Sequence, residues 1–62
     1  GVDALIGQKV VVLEDVTPNS GRVKLNGEIW SAQLEEGWEP LPTDTPGTVV
    51  AIRGATAIIR PY

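Results

Sequence analysis

Asn26-Gly27, set between two alternating runs, constrains this chain more than any other feature. A two-residue type I′ turn needs positive φ at both positions, and Asn-Gly is the pair that supplies it most readily. The flanking residues run Gly21-Arg22-Val23-Lys24-Leu25 before the turn and Glu28-Ile29-Trp30-Ser31-Ala32 after it. A two-residue loop fixes the register, so Leu25 opposes Glu28, Lys24 opposes Ile29, Val23 opposes Trp30 and Arg22 opposes Ser31. Directly opposed residues share a sheet face, which puts Val23, Leu25, Trp30 and Ala32 on one side. Arg22, Lys24 and Ser31 fall on the other. The pattern predicts an all-β unit with a one-sided core, and none of these residues forms a catalytic set.

Sixty-two residues make one domain, 1–62. A chain of this size buries only about 60% of the surface its unfolded form exposes, so its core is thin. It contains no cysteine, histidine or methionine, which excludes disulfide staples and ordinary zinc sites. Stability must come from a compact apolar centre inside a sheet with few free edges. Eight acidic residues against five basic ones give a net charge of −3. That balance disfavours non-specific binding to nucleic acid or anionic lipid, both of which need a basic surface. No apolar run approaches the roughly 18 residues of a membrane span. The chain opens on Gly1 rather than a methionine, which is expected of a domain processed or excised from a larger protein.

Gln8 to Glu14, rich in β-branched residues, reads as the first strand. Its four consecutive apolar residues do not alternate, so both faces are expected to be covered. Thr17-Pro18-Asn19-Ser20-Gly21 is a dense turn signal, and the Asn-Gly hairpin provides strands two and three. From Leu34 to Pro46 no periodicity appears, and Gly37, Pro40, Pro42 and Pro46 recur too closely for a helix. Thr48 to Arg53 reads as strand four, Gly54-Ala55 as a tight turn, and Thr56 to Arg60 as strand five. A two-residue turn there opposes Ile52 to Ala57 and Val50 to Ile59, leaving Val49, Ala51 and Ile58 pointing outward. Five short strands without a helix predict a small five-stranded OB-like barrel, with an SH3-like barrel as the alternative.

Chemistry is scarce. With no histidine or cysteine there is no imidazole base and no thiol nucleophile, and Ser20 and Ser31 have no base beside them in sequence. The acidic run Glu35-Glu36-Gly37-Trp38-Glu39 lacks the alternating spacing and closing glutamate of a calcium loop, and reads as a solvated turn. No catalytic, cofactor-binding or metal-binding residue is assigned. Trp30, in phase with Val23 and Leu25, is expected to be the main core anchor. Trp38 has two readings: it folds back with Leu41 to cap the barrel mouth, or it stands exposed beside the prolines as an anchor for a protein partner. The outward cations Arg22, Lys24, Arg53 and Arg60 are expected to pair with glutamates across strands.

The run Leu5-Ile6-Gly7, the turn Thr17-Pro18-Asn19-Ser20-Gly21, and Val23-Lys24-Leu25-Asn26-Gly27-Glu28-Ile29-Trp30-Ser31-Ala32 together resemble the C-terminal soluble domain of NfeD-like proteins. So do Pro46-Gly47-Thr48 and the closing Ile58-Ile59-Arg60-Pro61. Asn19 reads as an insertion in the family's Pro-Ser-Gly turn, and the 35–46 loop carries more proline than the family's shorter link. The resemblance implies a five-stranded OB-like barrel following transmembrane helices of a parent protein, helices that this chain lacks. It further implies a non-enzymatic protein–protein interaction module, partner of stomatin- and flotillin-type scaffold proteins, on the cytoplasmic side of a membrane. No catalytic residue is carried over from the family.

On this reading the contact surface is drawn from apolar residues out of phase with the core: Val49 and Ile58 on the last two strands, Trp38 and Leu41 in the loop, and Ile29 on the hairpin. An alternative of a different class is an OB module binding single-stranded nucleic acid or oligosaccharide. That alternative needs aromatic platforms and a basic groove on strands two and three. Arg22 and Lys24 alone on an acidic chain do not make one.

Overall fold

Asn26 and Gly27 both take positive φ, 51° and 81°, in the computed structural model, which describes Gly1–Tyr62. The chain forms strands β1 (Lys9–Glu14), β2 (Arg22–Leu25), β3 (Glu28–Leu34), β4 (Pro46–Arg53) and β5 (Thr56–Pro61). The apolar lead-in forms a single 3-10 turn, Val2–Leu5. The register of β2 on β3 is that fixed by the turn: Leu25 with Glu28, Lys24 with Ile29, Val23 with Trp30, Arg22 with Ser31.

The strands close in the order β1-β2-β3-β5-β4, with β4 returning to β1. β3 and β5 run parallel, and every other pair is antiparallel. A simple meander would pair β3 with β4. Here β5 lies between them, which is the OB-like arrangement rather than the SH3-like one. Closure removes the free edges that a 62-residue chain could not otherwise protect.

The core is wholly aliphatic: Val10, Val12, Val16, Val23, Leu25, Ala32, Leu34, Leu41, Val49, Ala57 and Ile59. Where parallel β3 and β5 meet, Ala32 opposes Ala57. Small residues at that seam leave the interior to the larger side chains of the facing strands. Gly47 is buried for a similar reason, since a Cβ there would lie 2.6 Å from Ile59 Cγ2.

Five expectations are corrected. Strand β1 does alternate: Val10 and Val12 point inward, and Val11 is exposed. Trp30 is only partly buried, packed at the rim of the core, because β5 pairs with β3 only from Ser31 onward and leaves one flank of Trp30 open. Val49 is inside, 1% exposed. The turn at Gly54-Ala55 does set Ile52 opposite Ala57, but a bulge then pairs Val49, not Val50, with Ile59. An extra residue in one strand exchanges the faces of everything beyond it. Finally, of the outward cations only Arg22 has a carboxylate partner, Glu14 at 3.4 Å, and such an exposed pair contributes about 0–1 kcal/mol.

Gly21 has φ of +147°, and a Cβ there would sit 2.7 Å from Val16 Cα, whereas Gly27 faces open space. Gly21→Ala is therefore expected to cost about 3 kcal/mol by combining backbone strain with overpacking, and Gly27→Ala about 1 to 2 kcal/mol from strain alone. Urea unfolding of the two variants checks this. Equal losses would show that the close approach at Val16 relaxes freely.

Candidate functional site

The loop between β3 and β4 is built from anchors at its two ends. Glu35 N–H donates to Ile59 C=O at 2.8 Å, carrying the β3–β5 pairing one residue beyond the strand. At the other end Leu41 and Val16 exchange both backbone bonds, at 2.9 and 3.0 Å. Thr43 donates from its backbone N–H and from Oγ1 to Asp15 Oδ1, both at 2.9 Å. Asp44 N–H donates to Val12 C=O at 2.7 Å, and Val12 N–H donates to Thr45 C=O at 2.9 Å. Between these anchors, residues 36–40 rest on one side-chain bond. The indole Nε1–H of Trp38 donates to Glu35 Oε1 at 2.8 Å.

That bond holds Trp38 on the outside of the barrel, 45% exposed. Trp38 and Leu41 thus part company. Leu41 is 7% exposed within the core, drawn in by its pairing with Val16, and Trp38 does not join it in a cap. The turn before β2 is locked independently: Thr17 Oγ1 accepts hydrogen bonds from the N–H groups of Asn19 (3.2 Å) and Ser20 (3.1 Å). Thr17 C=O in turn accepts from Leu34 N–H at 2.9 Å, which brings Pro18 beside the end of β3.

Between this turn, the loop and the outer face of β4–β5 lies an open groove of about 480 Å³. Its apolar lining is Pro18, Leu34, Trp38, Val50, Ala51 and Ile58. Polar groups border it: Glu35 and Glu36 from the loop, Arg53 from β4, and Gln33. Ile58 is out of phase with its inward neighbours Ala57 and Ile59 and does not belong to the core cluster, yet it is 7% exposed. It forms part of a second, smaller apolar layer on the outside of the barrel.

Of the five residues singled out by the sequence, the structure brings Trp38 and Ile58 into one groove. It withdraws Leu41 and Val49 into the core. Ile29 is 61% exposed but elsewhere, in a shallow notch with Trp30 and Ala55 beside the hairpin. Val50 is the groove residue that sequence reasoning placed inside. Only the bulge turns it outward, and no turn chemistry in β4 announces a bulge. A third hollow, about 300 Å³, is polar and lies beside the Arg22–Glu14 pair. No three carboxylates converge on a point that could hold a metal ion. No helix is long and apolar enough to cross a membrane.

The model of the NfeD-like C-terminal, partner-binding domain matches residues 2–61. Two solved structures are similar over nearly their whole length. The soluble domain of a membrane protein implicated in regulation of membrane protease activity, from Corynebacterium glutamicum, is 38% identical, with a TM-score of 0.92, 98% of this chain covered and 97% of that one. The C-terminal domain of stomatin operon partner protein 1510-C, from Pyrococcus horikoshii, is 29% identical, with a TM-score of 0.84, 95% of this chain covered and 89% of that one. Comparison with curated proteins gives no match.

Because one exposed hydrogen bond orients the Trp38 indole, Glu35→Ala should free the ring without opening the barrel. The stability loss is expected to be about 1 kcal/mol or less. Steady-state anisotropy of the indole fluorescence should fall, and its indole N–H resonance should move toward the free value. An unshifted resonance would show that packing alone holds the ring.

Proposed function

The chain belongs to the family of NfeD-like C-terminal, partner-binding domains, and from that membership we propose that it is the interaction module of a membrane-anchored parent protein whose partner is a stomatin- or flotillin-type scaffold protein. One relative is by its own description a stomatin operon partner, and another is the soluble domain of a membrane protein. The observation that carries the reading is the groove. An aromatic side chain held half-exposed over an apolar floor is the form an interface anchor takes. A pinned indole loses little conformational freedom on binding, so more of its contact energy appears as affinity.

The role is non-enzymatic. The chain has no histidine or cysteine. Ser20 is engaged with Thr17 (Oγ to Oγ1, 3.0 Å), and Ser31 lies exposed on β3 beside Glu14, whose carboxylate is paired with Arg22 and makes no hydrogen bond to the Ser31 hydroxyl. The OB face that binds oligonucleotides in other proteins uses strands two and three with the loops after strands one and four. Here the loop after β4 is only Gly54-Ala55, and Arg22 is already paired with Glu14. A cytoplasmic position of the domain belongs to the same proposal. An alkaline phosphatase fused after Tyr62 in the parent protein is expected to be inactive, and an active fusion would place the domain on the other side.

Calorimetric titration of the domain with a stomatin-type protein from the same organism tests the binding role. Trp38→Ala is expected to weaken binding at least about tenfold, which is about 1.4 kcal/mol. Its thermal unfolding should stay close to that of the wild type, since Trp38 is outside the core. Ile29→Ala asks the same of the hairpin notch. Unchanged affinity in both variants would remove both surfaces from the interface.

A further inference from the structure

We propose that the groove accepts a short segment of the partner in which bulky apolar side chains are flanked by lysine or arginine. This rests on the partner-binding reading and specifies the chemistry of what is bound. The floor, made by Leu34, Val50, Ala51 and Ile58 with Trp38 at one side, is aliphatic and presents no side-chain donor or acceptor. It can select only for apolar bulk. Selectivity must come from the border, and the border is charged unevenly.

Glu35 and Glu36 stand on the Trp38 side, and Glu39 follows one residue beyond Trp38. Glu35 uses Oε1 to hold the indole, so its other oxygen is available to a partner. Glu36 has no hydrogen bond or ion pair within the chain. The only cation at the groove is Arg53, which also has no carboxylate within 4.0 Å. A bound segment therefore meets negative potential beside its anchor and one positive group on β4. Charge complementarity at a rim fixes orientation and rejects wrong partners more than it adds affinity. An acidic segment would be repelled by the same carboxylates, which act on a chain already at −3.

A second copy of this chain does not fit the description. Its cations are spread singly as Lys9, Arg22, Lys24, Arg53 and Arg60. Where its exposed apolar groups do lie beside cations, with Val11 and Ile29 on either side of Lys24 across the sheet and Tyr62 against Lys9, they sit on separate strands of the barrel wall and not along one short segment that could enter the groove. The occupant is a different protein.

Two short synthetic peptides separate the possibilities, each with a central Leu-Phe-Leu, one flanked by lysines and the other by glutamates. Calorimetry against the wild-type domain at low salt should show binding of the lysine peptide about tenfold tighter than that of the glutamate peptide, with the difference shrinking as salt is raised. Trp38→Ala should weaken binding of the lysine peptide. Glu36→Lys, which leaves the Trp38–Glu35 bond in place, should reduce its affinity about fivefold or more without unfolding the domain. Equal binding of both peptides, binding of neither, or indifference to Glu36→Lys would overturn the proposal. Self-association of the domain abolished by Trp38→Ala would also overturn it, in favour of a second copy. The same variants are then titrated with the stomatin-type protein. If that protein binds but ignores Trp38→Ala and Glu36→Lys, the groove assignment fails while the partner assignment stands. If it does not bind while the lysine peptide does, the partner assignment fails and the groove chemistry stands.

Discussion

The bulge between Val49 and Ala51 is the constraint on which both the barrel and its outer surface depend. Strand β4 must do two jobs. Its first residues, Pro46, Gly47 and Thr48, pair with β1 and close the barrel, while Gly47 to Arg53 pair with β5 around the bulge at Val50. A strand that serves two neighbours in a five-strand barrel has to coil sharply, and an inserted residue supplies local twist. On the near side of the bulge Gly47 and Val49 face inward. On the far side the inward position passes to Ile52, which packs at the edge of the core. The same shift turns Val50 out beside Ala51 and opposite Ile58. A device needed for closure therefore also concentrates apolar area on the outside.

That shift marks the boundary of what could be read from residues alone. The Asn26-Gly27 hairpin was legible to the individual pair because its register is decided by two residues in contact with nothing distant. The Gly54-Ala55 turn was legible for the same reason, and its pairing holds from Arg53–Thr56 as far as Ala51–Ile58. Val49 was misplaced because the bulge answers to barrel curvature, which is a property of all five strands together. Leu41 was misplaced because a residue in an aperiodic, proline-rich stretch carries no phase. Its burial comes from a backbone bridge to Val16 that only the closed fold creates. Trp30 takes the face that the hairpin register sets but lies nearer the surface than a core anchor, since that register cannot say where the neighbouring strand β5 begins.

The interior has its own consequence. All eleven residues of the core cluster are valine, leucine, isoleucine or alanine. A five-stranded barrel of this length has room for interlocking aliphatic chains. An indole inside would displace several of them, and its N–H would need a partner among apolar walls. The two tryptophans accordingly lie at the rim and on the outside. Stability and the proposed recognition surface thus draw on different residues: the core contains no aromatic ring, and the groove is lined mainly by side chains that the core does not need. Leu34 is the exception, since it belongs to both. Its truncation would disturb the barrel as well as the groove floor.

An exposed apolar groove on a small domain carries a risk of aggregation as well as a use. Two features limit that risk. The floor is recessed, with Leu34 6% and Ile58 7% exposed and Val50 and Ala51 half-buried. The carboxylates of Glu35, Glu36 and Glu39 lie on the same loop, and their like charge opposes the approach of the same loop from a second copy. On the proposed reading of the groove, the features that protect the free domain are also those that select its partner. A neutral apolar segment gains little there beyond its own burial. A segment whose cations meet these carboxylates gains both the burial and the relief of a negative cluster.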